Sequence, residues 1–190
     1  MRFEKGHKEN TRRRIIDVAA KRFRRDGIAA SGLAGIMAES GLTNGAFYPH
    51  FDSKETLVKE ALSSALQHQY SVLTNDETGA SNIEDAIRRY LNMSHLIGCE
   101  EGCPSAALLP EIGRQPESTR KMYEKAYLSY TEGLARLLPD PASAKSRRQA
   151  AAIFGLMVGT MQIARAVADP QLAEEILEGG VHAALKLASG

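Results

Sequence analysis

The 190-residue sequence predicts an all-α fold of about nine helices. Apolar residues recur at three- and four-residue intervals along most of the chain, which is the period of an amphipathic helix. Val, Ile and Thr never form the alternating run typical of a strand, and the turn-like pair Asn44-Gly45 has no strand-like flanks. Glycine and proline residues divide the periodic segments at their ends, as helix breakers do.

The first helix is predicted from Thr11 to Arg25, with an apolar stripe on one face and arginines on the other. Gly27 follows it, in line with the preference for glycine just after a helix. A longer helix is predicted from Ser53, and a polar loop over 75–81. The remaining helices are predicted at about 82–97, 104–113, 117–138, 144–168 and 170–188.

Two short helices between these have the proportions of a helix-turn-helix. The first is predicted to be capped by Ser31 and to end at Ser40, and the second to be capped by Thr43 and to reach about His50. Gly41 between them can adopt the left-handed conformation that the turn requires. The apolar residues expected to hold the two helices at a fixed angle are Ile36, Leu42 and Phe47. Any tight helical hairpin has similar spacing, so the pattern alone leaves a non-DNA role open.

Charge is unevenly distributed along the chain. Residues 1–25 hold ten basic and three acidic side chains, a net charge of +7, whereas the whole chain carries only +1. A basic end on an acidic body favours a local site for a polyanion. A solvated, charged first helix is the alternative interpretation.

The sequence also resembles a known family. The segment 41–51, Gly-Leu-Thr-Asn-Gly-Ala-Phe-Tyr-Pro-His-Phe, and the following 53–57, Ser-Lys-Glu-Thr-Leu, resemble the recognition helix and next helix of the tetracycline-repressor (TetR) family. The helix at 11–27 resembles the first helix of that family, and the likeness is strong over about residues 10–62. The segment 102–108, Gly-Cys-Pro-Ser-Ala-Ala-Leu, is similar to one shared by a subgroup.

The resemblance implies a transcriptional repressor with two parts. A helix-turn-helix DNA-binding domain is expected over 1–52, and a ligand-binding and dimerisation domain over 53–190. The expected partners are a palindromic double-stranded DNA operator, a second copy of the chain, and a small effector that releases the DNA. The chain is expected to be cytoplasmic, because its charged N-terminus lacks a signal-peptide core, and it is not expected to be an enzyme.

The resemblance also assigns DNA contacts. It implies phosphate contacts at Tyr48, His50 and Lys54, and places Thr43 and Asn44 near base edges. An Asn side chain can pair with adenine through two hydrogen bonds. A surface aromatic at Tyr48 and a helix cap at His50 are the alternatives. The full predicted DNA-binding set is Arg12, Arg13, Ser31, Thr43, Asn44, Gly45, Ala46, Tyr48, His50 and Lys54. Pro49 lacks a backbone donor and is expected to loosen the last turn of the recognition helix.

The segment 150–161 is apolar around its whole helical circumference, which predicts burial on all sides. Gly155 and Gly159 would allow another helix to approach closely. We therefore expect helices 144–168 and 170–188 to form a four-helix bundle with those of a partner chain. A central core helix in a monomer is the alternative.

Effector contacts are predicted from apolar and aromatic residues of the body. A modest hydrophobic or aromatic ligand is expected, because these residues carry little fixed charge; ordinary core positions are the alternative. The candidates are Met93, Leu96, Cys103, Leu108, Tyr123, Tyr127 and Met157. Cys103 precedes Pro104 at a predicted helix N-terminus, where a thiol can become more reactive. A thiol-based redox or electrophile sensor using Cys103 is therefore the alternative function.

Several classes of protein are disfavoured by what the sequence lacks. The nucleotide-binding, hydrolase and metalloprotease motifs with strong signals are not found, so no cofactor is predicted. His95, Cys99 and Cys103 are spaced four apart, but glycines interrupt the helix between them and a fourth ligand is not evident, so no metal is predicted. The charged N-terminus lacks a signal-peptide core, and the apolar runs are too short for a membrane span.

Overall fold

The computed structural model describes residues 6–75 and 79–190, and within these ranges the predicted all-α fold is confirmed. Arg2 and Lys5, which contribute to the predicted basic segment, and positions 76–78 of the predicted loop lie outside the described residues. The helices are α1 (His7–Asp26), α2 (Leu33–Glu39), α3 (Lys54–Thr74), α4 (Ile83–Tyr90), α5 (Met93–Ile97), α6 (Pro104–Ile112), α7 (Glu117–Ala135), α8 (Ala144–Ala166) and α9 (Pro170–Ser189). A single 3₁₀ turn, Asn44–Ala46, lies between α2 and α3.

The buried residues form two apolar clusters. One joins α1, α2, the 3₁₀ turn and the first half of α3, and it includes Leu108 and Ile112 of α6. The other fills the body between α4, α7, α8 and α9. The first cluster defines a small head, and α6 ties that head to the body. A domain boundary after residue 52 stays a prediction, since α3 contributes to both clusters.

Two predicted helix boundaries are wrong. The helix predicted over 82–97 is broken at Leu91, whose φ and ψ of −93° and 80° are not helical, and Asn92 then caps α5 by accepting from the His95 amide at 2.9 Å. Ser31 does not cap α2, which begins after Gly32 without a side-chain cap. The Ser31 hydroxyl instead donates to the Gly27 carbonyl at 2.6 Å, so it closes the turn after α1.

The second helix of the motif is much shorter than predicted. Instead of a helix to His50, the chain forms the 3₁₀ turn and then irregular turns that bring Phe51 N to within 3.1 Å of Phe47 O. Thr43 makes no side-chain cap. Gly45 is a poor helix former, and Pro49 cannot donate the hydrogen bond that an α-helix would need at its position.

α8 is not enclosed on all sides within the chain, so its predicted burial against a partner chain stays a prediction. It packs on α7 and α9, and the closest approach is at Gly180 of α9, where a Cβ would lie 2.4 Å from Thr160 Cγ2. Gly155 and Gly159 instead face outward, and a Cβ on either would meet no atom of the chain. Among the described residues, none of the helices is long and apolar enough to cross a membrane.

Candidate nucleic-acid interface and body cavity

The turn between α2 and the 3₁₀ turn is held by Gly41, whose φ is +67°. Its amide donates to Ala38 O at 2.9 Å, and the next amide, of Leu42, donates to Met37 O at 2.9 Å. A side chain at this φ would be strained, which explains the glycine. Phe47 is buried beneath the turn and stacks on Phe51 with ring centroids 5.4 Å apart. The backbone that precedes α3 is thus fixed from inside.

The outer surface of the turn is polar and aromatic. Thr43, Asn44 and Gly45 are exposed, and Ala46 is half-buried. Tyr48 is 71% exposed, with its ring edge-on to the buried Phe47 at 5.4 Å. This contact directs the phenol away from the protein, so it is available to a partner.

Two predicted phosphate contacts, Lys54 and His50, interact with other residues of the head. Lys54 Nζ donates to Ile28 O at 3.1 Å, a contact that holds the start of α3 against the end of α1. His50 is half-buried, and its Nδ1 finds no partner among the described residues. Burial, followed by the nearby Lys8 and Arg12, lowers the pKa of His50. The ring is therefore held mainly neutral near pH 7.

The two arginines predicted to attract phosphate differ in their surroundings. Arg12 pairs with Glu60 at 2.5 Å and stacks over Phe51, with its guanidinium carbon 4.8 Å from the ring centroid. Arg13 is exposed and makes no ion pair among the described residues. Arg12 therefore fastens α1 to α3, whereas Arg13 is available to solvent or a polyanion.

Ser31 is fully buried. Its hydroxyl is already used by the Gly27 carbonyl, and a side chain without exposed surface does not reach a duplex. The inclusion of Ser31 among the DNA contacts is therefore wrong.

Several bases of α1 are used in ion pairs that sequence analysis did not predict. Arg22 pairs with Glu39 of α2 at 3.1 Å, whereas Lys21 and Arg25 reach Glu101 and Glu100 in the loop before α6. The Glu111 carboxylate of α6 accepts from the Ala29 amide at 3.0 Å. The second half of α1 thus binds the body, so much of the positive charge counted in the sequence is neutralised within the chain.

A cavity of about 160 Å³ lies in the body beside this contact. Its wall combines α3, α4, α7 and the segment before α6 with one residue of the head, Arg24. Cys103 lies at its edge, 2% exposed, at the N-cap of α6. The residues that line this cavity include Arg24, Val72, Leu73, Ala86, Tyr90 and Cys103.

The structure does not bring the seven predicted effector contacts together. Only Cys103 borders the cavity. Tyr123 and Tyr127 line an outer groove beside Gly155 and Gly159, and Met93 lines a separate groove against α9. Leu108 belongs to the head core, whereas Leu96 and Met157 pack in the body core. Helical periodicity indicated burial for these residues but not which of them surround a void.

His95 is a structural residue of the cavity wall that sequence analysis considered only as a metal ligand. Its Nδ1 lies 2.6 Å from Tyr90 O, and its Nε2 accepts from the Cys103 amide at 2.9 Å. Because an amide only donates, Nδ1 carries the proton and donates to the carbonyl. Burial, followed by Arg165, lowers the pKa of His95. No group of three metal-binding side chains is found among the described residues.

The exposed turn at Gly41 presents polar and aromatic groups and is fixed on a buried core, and the helical body contains a cavity. Together these features are those of a helix-turn-helix DNA-binding regulator. Comparison with known proteins narrows the class of regulator further. The family description "Bacterial regulatory proteins, tetR family" matches residues 15–61, which span α1 to the first part of α3. With the similar proteins and structures below, this identifies the chain as a TetR-like transcriptional regulator.

Two curated relatives illustrate the extent of the likeness. The HTH-type transcriptional regulator LmrA of Bacillus subtilis is 24% identical over 155 residues, which cover 78% of this chain and 82% of that protein. The HTH-type transcriptional regulator TtgR of Pseudomonas putida is 39% identical over 64 residues, only 34% of this chain and 30% of that protein. The shorter alignment has the higher identity.

Solved structures confirm the fold of the described residues. A TetR-family transcriptional regulator from Cytophaga hutchinsonii superposes with a TM-score of 0.76 at 21% identity, covering 100% of both chains. The reduced form of E. coli NemR superposes with a TM-score of 0.74 at 19% identity, covering 93% of this chain and 96% of that one.

Proposed function

We propose that this protein is a dimeric repressor that binds a palindromic operator through the exposed turn and is released when a small effector fills the body cavity. The observation that carries the proposal is the position of Arg24. It belongs to α1, the helix on which the DNA-binding head is built, and it also forms part of the cavity wall. A ligand in the body therefore touches the head directly.

The DNA-reading surface consists of the exposed residues around the 3₁₀ turn. Tyr48 is positioned to donate its hydroxyl to a phosphate, and Asn44 to meet a base edge in the major groove. Arg13 adds phosphate attraction that depends on salt. His50 and Lys54 lie at the border of this surface and approach the backbone of the duplex.

The dimer surface consists of the outward faces of α8 and α9. Gly155 and Gly159 add no side chain to the wall of the outer groove, and Ile163, which is 58% exposed, lies on the next turn of α8. Leu172 and Leu187 of α9 are 44% and 40% exposed. A partner copy that covers this apolar strip would place two heads on one duplex, with half-sites in successive major grooves.

Release requires that the effector bind better to a dimer whose heads are wrongly spaced for DNA. The loop 98–103 connects the cavity to the head, since its acidic residues pair with Lys21 and Arg25 of α1. A ligand that displaces this loop changes the position of α1 on the body. Because α1 carries the head core, the separation of the two heads in the dimer changes as well.

The proposal is tested by salt-dependent binding to fluorescently labelled duplex DNA. Wild-type affinity is expected to fall steeply and linearly on a log–log plot against salt. Tyr48→Ala is expected to weaken binding about tenfold, as the loss of a hydrogen bond to a charged group would. Ile97→Ala, which truncates a 75% exposed side chain far from the turn, serves as the control. Equal affinities for both variants and wild type would refute the role of the turn.

A second candidate function is electrophile sensing through Cys103, favoured by the position of this thiol at the cavity edge. A quinone in the cavity would form a bond between Cys103 Sγ and a ring carbon. The thiol proton would pass to one quinone oxygen and the hydrogen of the attacked ring carbon, as a proton, to the other, which gives a hydroquinone thioether and requires no further oxidant. The bulky adduct would then occupy the cavity in place of a reversible effector.

Cys99 provides the matched control, as the second free thiol and only partly buried. The sensor function predicts quinone-dependent DNA release that Cys103→Ser abolishes and Cys99→Ser retains, with the adduct on Cys103 seen by mass spectrometry. An unmodified Cys103 in a sample that still releases DNA would exclude the sensor function.

A further inference from the structure

Arg24 is a buried cation that has no close carboxylate. Its side chain is only 6% exposed, and its Nε donates to the Glu100 carbonyl at 2.6 Å. The nearest carboxylate, of Glu101, lies 4.0 Å from Nη2, is 59% exposed and also pairs with Lys21. Burial is the main reason that the pKa of Arg24 is lowered, yet an arginine keeps its charge in proteins. A buried charge whose ion pair spans 4.0 Å is incompletely compensated, so the site favours a closer anion.

The described part of the cavity wall holds one carboxylate, that of Glu101, and this group is already paired with Lys21. Arg89 pairs with Asp85 at 2.7 Å, so this carboxylate is directed elsewhere. The Tyr90 hydroxyl is buried without a hydrogen-bond partner among the described residues. Desolvation, followed by the nearby Cys103, raises the pKa of Tyr90, so the phenol stays protonated and can donate. The cavity thus presents a cation and an unused donor.

Much of the remaining wall is apolar, beside the polar side chains of His68 and Gln69, and the space is small. Val72, Leu73 and Ala86 supply aliphatic surface. A cavity of about 150 Å³ in another protein accommodates benzene. The 160 Å³ found here therefore suits a single six-membered ring with one small substituent.

We infer that the cavity binds a small monocyclic carboxylic acid, with its carboxylate on the Arg24 guanidinium and its ring against Val72, Leu73 and Ala86. This inference rests on the proposed function for its regulatory meaning, and it names the class of effector. A planar guanidinium fits a carboxylate through two parallel hydrogen bonds. The Tyr90 hydroxyl donates a third hydrogen bond to the ligand. This ligand fits the hydrophobic or aromatic molecule expected from the sequence and adds a charge that the predicted contact residues did not indicate.

The contact between the ligand carboxylate and Arg24 explains how ligand binding would change the position of the head. Arg24 Nε now holds the Glu100 carbonyl in the loop that also binds Lys21 and Arg25. A carboxylate that recruits the guanidinium competes with this carbonyl. The loop then loses one of its links to α1, and the DNA-competent position of the head is less favoured.

Calorimetric titration of the full chain tests the inference with two acids, benzoate and phenylacetate, and their neutral isosteres, benzamide and phenylacetamide. The wild-type chain is expected to bind an acid at least about tenfold more tightly than its amide. Arg24→Gln is expected to lose about tenfold or more in acid affinity and to leave amide affinity unchanged. Arg120→Gln removes the same charge at an exposed position of α7 and should behave as wild type.

Equal affinity for acid and amide, unchanged acid affinity in Arg24→Gln, or no binding of any of the four probes would each overturn the inference. Arg24→Lys keeps the buried cation and is expected to retain part of the acid preference if Arg24→Gln fails to fold. Operator binding is measured without ligand in the same samples. Intact DNA binding without acid preference contradicts this inference alone, whereas absent DNA binding by wild type contradicts the proposed function.

Discussion

At the scale of single residues, Gly41 is the position where backbone geometry most restricts the head. Its φ of +67° is strained for any residue with a Cβ. Gly41→Ala is expected to lower the free energy of unfolding by about 1–2 kcal/mol. Gly45→Ala is the matched control, since Gly45 is exposed, has an ordinary φ, and a Cβ there would meet no atom. Denaturant unfolding compares the two, and equal losses would show that the turn does not depend on the left-handed glycine.

His95 makes the stability of the body depend on pH. Because its pKa is lowered in the folded chain, the folded and unfolded states are both neutral well above pH 6.5. As the pH falls below 6.5, the unfolded state takes up a proton that the folded state resists, so stability is lost. The loss continues until the pH passes the lowered folded-state pKa.

Unfolding free energies at about pH 7.5 and about pH 5.5 measure this dependence. The difference between the two is expected to be smaller in His95→Gln than in wild type. His182→Gln, at an exposed histidine of α9, is the control and should retain the wild-type difference. An unchanged pH dependence in His95→Gln would contradict the hydrogen-bond arrangement described for this ring.

At the scale of elements, α8 and α9 are brought together by the absence of a side chain at Gly180. A Cβ at this position would lie 2.4 Å from Thr160 Cγ2, so Gly180→Ala forces a shift. Overpacking of this kind costs about 1–3 kcal/mol. Adding Thr160→Ser removes the clashing methyl group and should restore part of the loss in thermal unfolding. If the double variant is no more stable than Gly180→Ala, the close approach is not the cause.

The sequence predicts these elements unevenly, for physical reasons. α7, α8 and α9 are long and periodic, and their starts lie at Pro116, Ser143 and Pro170, so periodicity and breakers define them well. The recognition segment failed as a helix because Gly45 and Pro49 outweigh a likeness to helical relatives. Leu91 broke a predicted helix although its side chain gives no such signal.

The two candidate sites were also predictable to different degrees. The proposed DNA-reading residues are consecutive in sequence, so a local motif can single out Asn44 and Tyr48. The cavity is assembled from distant segments, and Arg24 lines it from a helix whose charge pattern indicated a polyanion site or a solvated face. Ser31 was likewise predicted to contact DNA. Its burial depends on how α1 and α2 pack against each other, and the local sequence does not show this packing.

At the scale of the whole molecule, the proposed function depends on pairing through the exposed strip of α8 and α9. Ile163→Glu places a charge on that strip without touching either described core cluster. Sedimentation is expected to show wild-type dimers and a shift of the variant towards monomers with intact helicity. Ala166→Glu, at the exposed end of α8, is the control and is expected to shift the dimer towards monomers less than Ile163→Glu does. Dimers of unchanged stability in Ile163→Glu would place the interface elsewhere.

The central claim is that two copies of the exposed turn read one duplex together, and selection from random duplex DNA tests it most directly. Fragments retained by the wild-type chain and sequenced are expected to converge on an inverted repeat. Its half-sites should lie about 34–36 Å apart, or a multiple of that distance. Enrichment should be lost with Tyr48→Ala. Convergence on an unrepeated site, or no convergence at all, would contradict the claim.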